Sequence, residues 1–250
     1  MAFEKWRLTL GGREDWLKTD STFYNLNAED QRNDNAFSGN AALSYVFDSG
    51  FTPYISYAES FQAEAGGSAT GKAYEPSTGK QYEMGIKYQP PGTEIMFTAA
   101  VYDLMRKNIV LSDTFGNTRP LGEANVRGVE LEAVGNVTEN LKLTASYTNA
   151  NTKMTKVGNP LDKNRPLPLT PENQGSVWAD YTWHTGLLDG FGLGFGVRYI
   201  GETDNVAIGS LGYVRDKSDG HTDSYTVYDA AVHYDLGRSE EHTSELQSQP

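Results

Sequence analysis

The chain has no cysteine and no apolar run long enough to cross a bilayer as a helix. The first absence excludes a disulfide framework and any thiolate-held metal. The second excludes helical spans only. A membrane strand needs about 9–11 residues with every second one apolar, and averaging hides such segments. A mean hydropathy of −0.56 therefore does not argue against a membrane wall. Cations are scarce as well. Lys and Arg number 21 against 33 Asp and Glu, a net charge of −12, the wrong sign for the phosphates of a nucleic acid. The start, Met1-Ala2-Phe3-Glu4-Lys5-Trp6, has no basic stretch leading into an apolar one, so the leader of an exported protein is expected upstream.

What is plentiful is glycine and aromatics: 26 Gly, 15 Tyr, 10 Phe and 4 Trp. They are arranged with a period of two, the signature of strands with unlike faces. In Leu141–Thr148, Leu141, Leu143, Ala145 and Tyr147 fall on one face and Lys142, Thr144, Ser146 and Thr148 on the other. Val129, Leu131 and Ala133 likewise oppose Gly128, Glu130 and Glu132, and Leu193, Phe195, Val197 and Tyr199 oppose Gly194, Gly196 and Arg198. Further strands are expected at Lys5–Asp15, 41–47, 51–61, 80–88, 95–105, Ser176–Trp183 and Tyr225–Tyr234. The reading is all-β, an antiparallel up-and-down meander of about ten strands.

The connections fall into two alternating kinds. Short ones lie at Asp48-Ser49-Gly50, Gln89–Thr93, Val137–Asn140 and His184–Gly190; long polar ones are expected near 17–36, 62–79, 106–122, 155–172 and 201–223. One tight end and one ragged end is how outer-membrane barrels are built, whereas a Greek-key sandwich has no reason to keep such a parity. Lipid demands fully paired strands with apolar side chains outward. Glu130, Glu132, Asp180 and Arg198 are accordingly expected to face a polar lumen. Tyr45, Phe47, Phe51, Tyr88, Trp183 and Phe191, beside the short turns, fit an interfacial girdle.

From Arg238 onward the texture changes: Arg238–Ser248 has one apolar residue in eleven. The string resembles the in-frame translation of a sequencing adapter, so 238–250 is read as a non-native tail and 1–237 as the barrel piece.

Several motifs in order resemble the TonB-dependent siderophore receptors. They are Thr52–Phe61, Pro76–Tyr88, Val126-Arg127-Gly128-Val129-Glu130-Leu131-Glu132, Trp178-Ala179-Asp180-Tyr181, Gly194–Gly201 and Tyr225–Ala231. The likeness is nearest the ferrichrome and hydroxamate branch. It implies a barrel of about 22 strands around an N-terminal plug, set in the outer membrane of a Gram-negative bacterium among lipid and lipopolysaccharide. Outer loops capture a ferric siderophore, and TonB draws on a segment before the plug. On this resemblance the chain holds part of the barrel and lacks the plug, so the whole protein would be the transporter. Receptors for cobalamin, haem or a glycan share the architecture, and a soluble carbohydrate-binding β-sandwich is the alternative of another class.

No catalytic constellation is present, so no enzyme is expected. The four His show no metal-ligand spacing, and Gly192-Leu193-Gly194-Phe195-Gly196 alternates along a strand without leading into a helix. Those glycines are read as sites of close packing or strand bending. No resident cofactor is implied, since the siderophore wraps its own iron. Candidate ligand contacts are loop aromatics: Phe61 and Tyr74 in one long loop, Phe115 in a second and Tyr213 in a third.

Overall fold

Each alternating run becomes one strand of a single continuous sheet. The computed structural model describes residues 5–24, 26–64, 67, 71–112, 118–157, 163–204 and 221–235. The strands are β1 (Trp6–Phe23), β2 (Ala28–Tyr45), β3 (Phe51–Gln62), β4 (Ser77–Tyr88), β5 (Met96–Ser112), β6 (Thr118–Asn136), β7 (Leu141–Lys156), β8 (Asn173–Thr182), β9 (Phe191–Ile200), β10 (Thr203–Asp204), β11 (His221–Thr222) and β12 (Tyr225–Tyr234). Ten of them form one sheet in the order β1-β2-β3-β4-β5-β6-β7-β8-β9-β12, and β10 and β11 make a small separate ribbon. Every paired neighbour is antiparallel. This is a meander, so the two stacked sheets of a sandwich are not what the chain builds.

Two expected loops are corrected. Residues 17–36 are mostly strand: β1 and β2 pair without interruption from Trp6↔Tyr45 to Phe23↔Ala28. Most of 106–122 is strand too, since β5 and β6 continue to Ser112↔Thr118 across a bulge. In 17–36 polar residues fill both faces, and in 106–122 the run Ile109-Val110-Leu111 puts apolar residues on both, so the alternation that betrays a strand is absent although the ladder runs on. The tail from Arg238 lies outside the described residues.

The register aligns like with like across the wall. On one face a row runs Leu43, Ile55, Met84, Val101 and Val129. On the other, Tyr54, Gly85, Ala100, Glu130 and Thr148 share a row. Among the described residues nothing forms a covering layer on the apolar face. Tyr82, Met84, Ile55, Phe195 and Val232 are all more than half exposed. Buried hydrophobic residues among those described are only Ala73, Ala100, Ile109, Ala124 and Met154. A water-soluble sheet of this size would leave far too much contiguous apolar surface in solvent; a wall in hydrocarbon needs it there.

The tight ends are fixed by local chemistry. Gly50 adopts φ +89°, and a Cβ there would come within 2.0 Å of the Gln89 carbonyl oxygen, so glycine is the residue that fits. At Val137–Asn140 the Thr138 hydroxyl accepts from the Asn140 and Leu141 N–H groups, while the Asn140 amide donates to the Thr182 carbonyl at 2.6 Å.

Candidate ligand-facing wall and its mouth

Three levels can be followed up the wall. At the short-turn end the aromatics touch one another. Trp6–Tyr45 and Tyr45–Phe47 meet edge to face at 4.9 and 4.6 Å, Phe51 stacks on Tyr88 at 4.1 Å, and Trp183 lies between Tyr181 and Phe191. Above them lies the apolar band. It ends in a tier of charge and hydroxyls on the same outward face: Tyr57 donates to Glu59 at 2.6 Å, Lys80 pairs with Glu59 at 2.9 Å, and Arg127 pairs with Asp103 at 2.7 Å. From Phe51 to Glu59, eight residues at roughly 3.3 Å make about 26 Å of strand, comparable with an apolar band about 25 Å tall.

The opposite face is polar and held by side-chain bonds. The Tyr54 hydroxyl donates to Glu83 at 2.7 Å, Gln81 donates to the same carboxylate, and the Lys87 ammonium sits 5.7 Å from the Tyr54 ring centre. Glu130 and Glu132 lie on β6 on this face, across from Ala100 and Thr98. Arg198 also lies there and pairs with Asp229 at 3.3 Å. Asp180 stands near His233, whose ring nitrogen is 3.3 Å from the Thr182 hydroxyl.

Large rings on this face cover glycines of the next strand. A Cβ on Gly194 or Gly196 would meet Trp178 at 2.3 or 2.5 Å; one on Gly85 would meet Tyr54, and one on Gly128 would meet Tyr102. The glycines of β9 are thus the bed on which Trp178 rests. Among the described residues no group of His, Asp and Glu is placed to hold a metal ion.

The loop candidates fare differently. Phe61 is on β3 rather than in a loop, opposite Thr78 and with the parity of Tyr57 and Glu59, which points away from the polar face. Tyr74 lies in the β3–β4 connection, beside Ala73, whose N–H donates to Asp30 at 2.9 Å. Phe115 and Tyr213 lie outside the described residues. Unanticipated in the sequence is a segment at the same end, 163–172, which folds back on β7. Arg165 accepts from the Met154 N–H and Asn164 donates to the Met154 carbonyl, both at 2.8 Å.

A family model for the TonB dependent receptor-like β-barrel matches residues 1–244. This chain belongs to the TonB-dependent receptors. It is 37% identical over 238 residues to the ferrichrome outer membrane transporter/phage receptor of Escherichia coli K12, covering 94% of this chain and 30% of that protein. It is 36% identical to the ferrioxamine B receptor of Salmonella typhimurium, over 94% of this chain and 32% of that one. The TonB-dependent receptor barrel described here therefore spans about a third of the length of the curated relatives it matches. Among solved structures, the siderophore receptor PiuA from Acinetobacter baumannii superposes with a TM-score of 0.71 at 20% identity, covering 94% of this chain and 35% of that one. The ferric-catecholate import receptor Fiu from E. coli K12 gives 0.68 at 22%, covering 94% and 37%. The relatives are receptors by name, and those for ferrichrome and ferric catecholate are also named for transport or import.

Proposed function

We propose that this chain is part of the wall of an outer-membrane receptor that takes up ferric siderophores of the hydroxamate type. The observation that carries the reading is the sheet's inversion: an uncovered apolar face outward and a hydrogen-bonded polar face inward, in a chain 36–37% identical to receptors named for ferrichrome and ferrioxamine. The outward face meets lipid, and its upper tier at Glu59, Lys80, Asp103 and Arg127 meets the headgroups of the outer leaflet, lipopolysaccharide included. The inward face, with Glu83, Glu130, Glu132, Asp180 and Arg198, fronts a plug through which TonB acts. The role is that of a transport receptor, as the family and the relatives' names support. Iron enters as cargo inside its chelator, which agrees with carboxylates already engaged by Tyr54, Gln81 and Lys80.

The test uses the intact receptor that carries this segment, expressed in an outer membrane lacking other siderophore receptors. Ferric ferrichrome and ferrioxamine B are expected to bind, and radioactive iron from at least one is expected to enter the cell only when TonB is present. Entry that ignores TonB, or binding of neither hydroxamate, overturns the proposal.

A further inference from the structure

The connection between β7 and β8 is built as a fixed part of the mouth. On β7, Thr152 and Met154 have the parity of the polar face, continuing Thr148 and Ala150. Nothing on the strand itself could shelter them, yet Met154 is fully buried and Thr152 nearly so. Their cover is the returning chain. Met154 packs with Ile109 and Ala124, and Val157 and Leu167 close over that cluster. Five backbone N–H groups then tie the same stretch down. Met154 donates to Arg165, Asn164 to Met154, Leu167 to the Thr152 hydroxyl, Ala150 to Glu172, and Leu169 to Asp204, all between 2.8 and 2.9 Å. The sequence stiffens it further: Pro166-Leu167-Pro168-Leu169-Thr170-Pro171 has three residues with φ locked by a ring.

Within this braced segment Leu169 is anomalous twice over. Its backbone is left-handed, φ +56°, a conformation that a bulky side chain seldom adopts without a cause. Its side chain is 70% exposed, although the neighbouring Leu167 found apolar cover. Strain that presents an apolar group to solvent, on a support that does not yield, has the form of a preorganised contact.

We propose that residues 163–172 form a permanent wall at the mouth of the barrel and that Leu169 is its contact with the apolar surface of the incoming ferric siderophore. The proposal rests on the siderophore reading above and adds to it the side chain and the rigidity that select cargo.

The experiment uses the intact receptor in outer membranes with ferric ferrichrome and ferrioxamine B as probes. Leu169→Asn keeps a residue at ease in the left-handed region and removes the apolar contact; binding to at least one probe should weaken about 5- to 10-fold, roughly the loss of one buried apolar contact. Because this segment has no native cysteine, Leu169→Cys and, at a short turn on the opposite end, Leu187→Cys can each carry a fluorophore. The iron complex should quench the first and leave the second unchanged. In hydrogen exchange, the amides of Met154, Leu167 and Leu169 should be equally protected with and without cargo. Unchanged affinity of Leu169→Asn, or no quenching at 169 while wild-type receptor binds, overturns the contact. Protection that appears only with cargo overturns the fixed wall. If wild-type receptor binds neither probe, the siderophore reading itself has failed and the contact falls with it.

Discussion

The lower half of β3, β4 and β5 and the upper half of β1 and β2 belong to the same sheet and obey the same ladder, yet their side chains answer to different surroundings. Below, Ile55, Met84 and Val101 share one face while Tyr54, Gly85 and Ala100 share the other. Above, the pairs Lys18↔Asn33, Thr19↔Arg32 and Asp20↔Gln31 are polar whichever way they point. Backbone pairing is indifferent to the solvent; the side chains report where hydrocarbon begins and ends. Between the two halves stands the tier of Glu59, Lys80, Asp103 and Arg127.

The same cation placed in both halves should have unequal effects. Val101→Arg places a guanidinium among Met84 and Val129 and should destabilise the intact receptor by about 2–4 kcal/mol. Asn33→Arg, in the hairpin above, should change stability by less than about 0.5 kcal/mol. Urea unfolding in lipid vesicles measures both, and equal effects would mean that no lipid boundary lies between them. A smaller effect comes from the inner face. Gly194→Val drives a side chain into Trp178 and should cost about 1–3 kcal/mol. Much of that loss should return in Gly194→Val with Trp178→Ala, read by the same unfolding midpoint; a single variant of wild-type stability would show that the ring does not need its bed.

The smallest effect is expected at the turn end, where the half-exposed Lys5 pairs with the exposed Asp48 at 2.5 Å. The hydrogen bond from the ammonium to the Asp48 carboxylate holds the Lys5 pKa above its ordinary value. A raised lysine pKa contributes stability that is complete below the unfolded value and lost only as pH rises through the folded one. The contribution is therefore complete at neutral pH and small because the pair is exposed: Lys5→Met should lower the unfolding midpoint slightly there, and the difference should fade in high salt or as pH rises past the folded lysine pKa. A pH-dependent change near neutrality would contradict this.

The same boundary explains what could be read from the sequence. Leu141–Thr148 and Leu193–Tyr199 announced themselves because one face meets lipid, and the short turns between strands followed from their Gly, Pro and Asn residues. Residues 17–36 read as loop because Lys18, Asn33 and Asp34 offer no contrast between faces, although the hairpin continues there. The mouth was harder still. A loop aromatic is marked in the sequence by residue type alone, and Phe61 carries outward parity on β3. Residues 163–172 were hidden because their order comes from hydrogen bonds between Met154, Arg165, Thr152 and Leu167 that no local pattern encodes. The available signal was Pro166-Leu167-Pro168-Leu169, apolar and stiff in an otherwise polar connection.

Hairpins that start and end on tight turns have a consequence for inheritance. β3 leaves the turn at Gly50 and β4 returns to the turn at Gln89 beside it, with Phe51 opposite Tyr88. A block of hairpins that departs and returns on one side can be exchanged between homologous genes by two crossovers without reversing any downstream strand. Recombination could thus trade whole outer connections while the lattice of the wall stays in step.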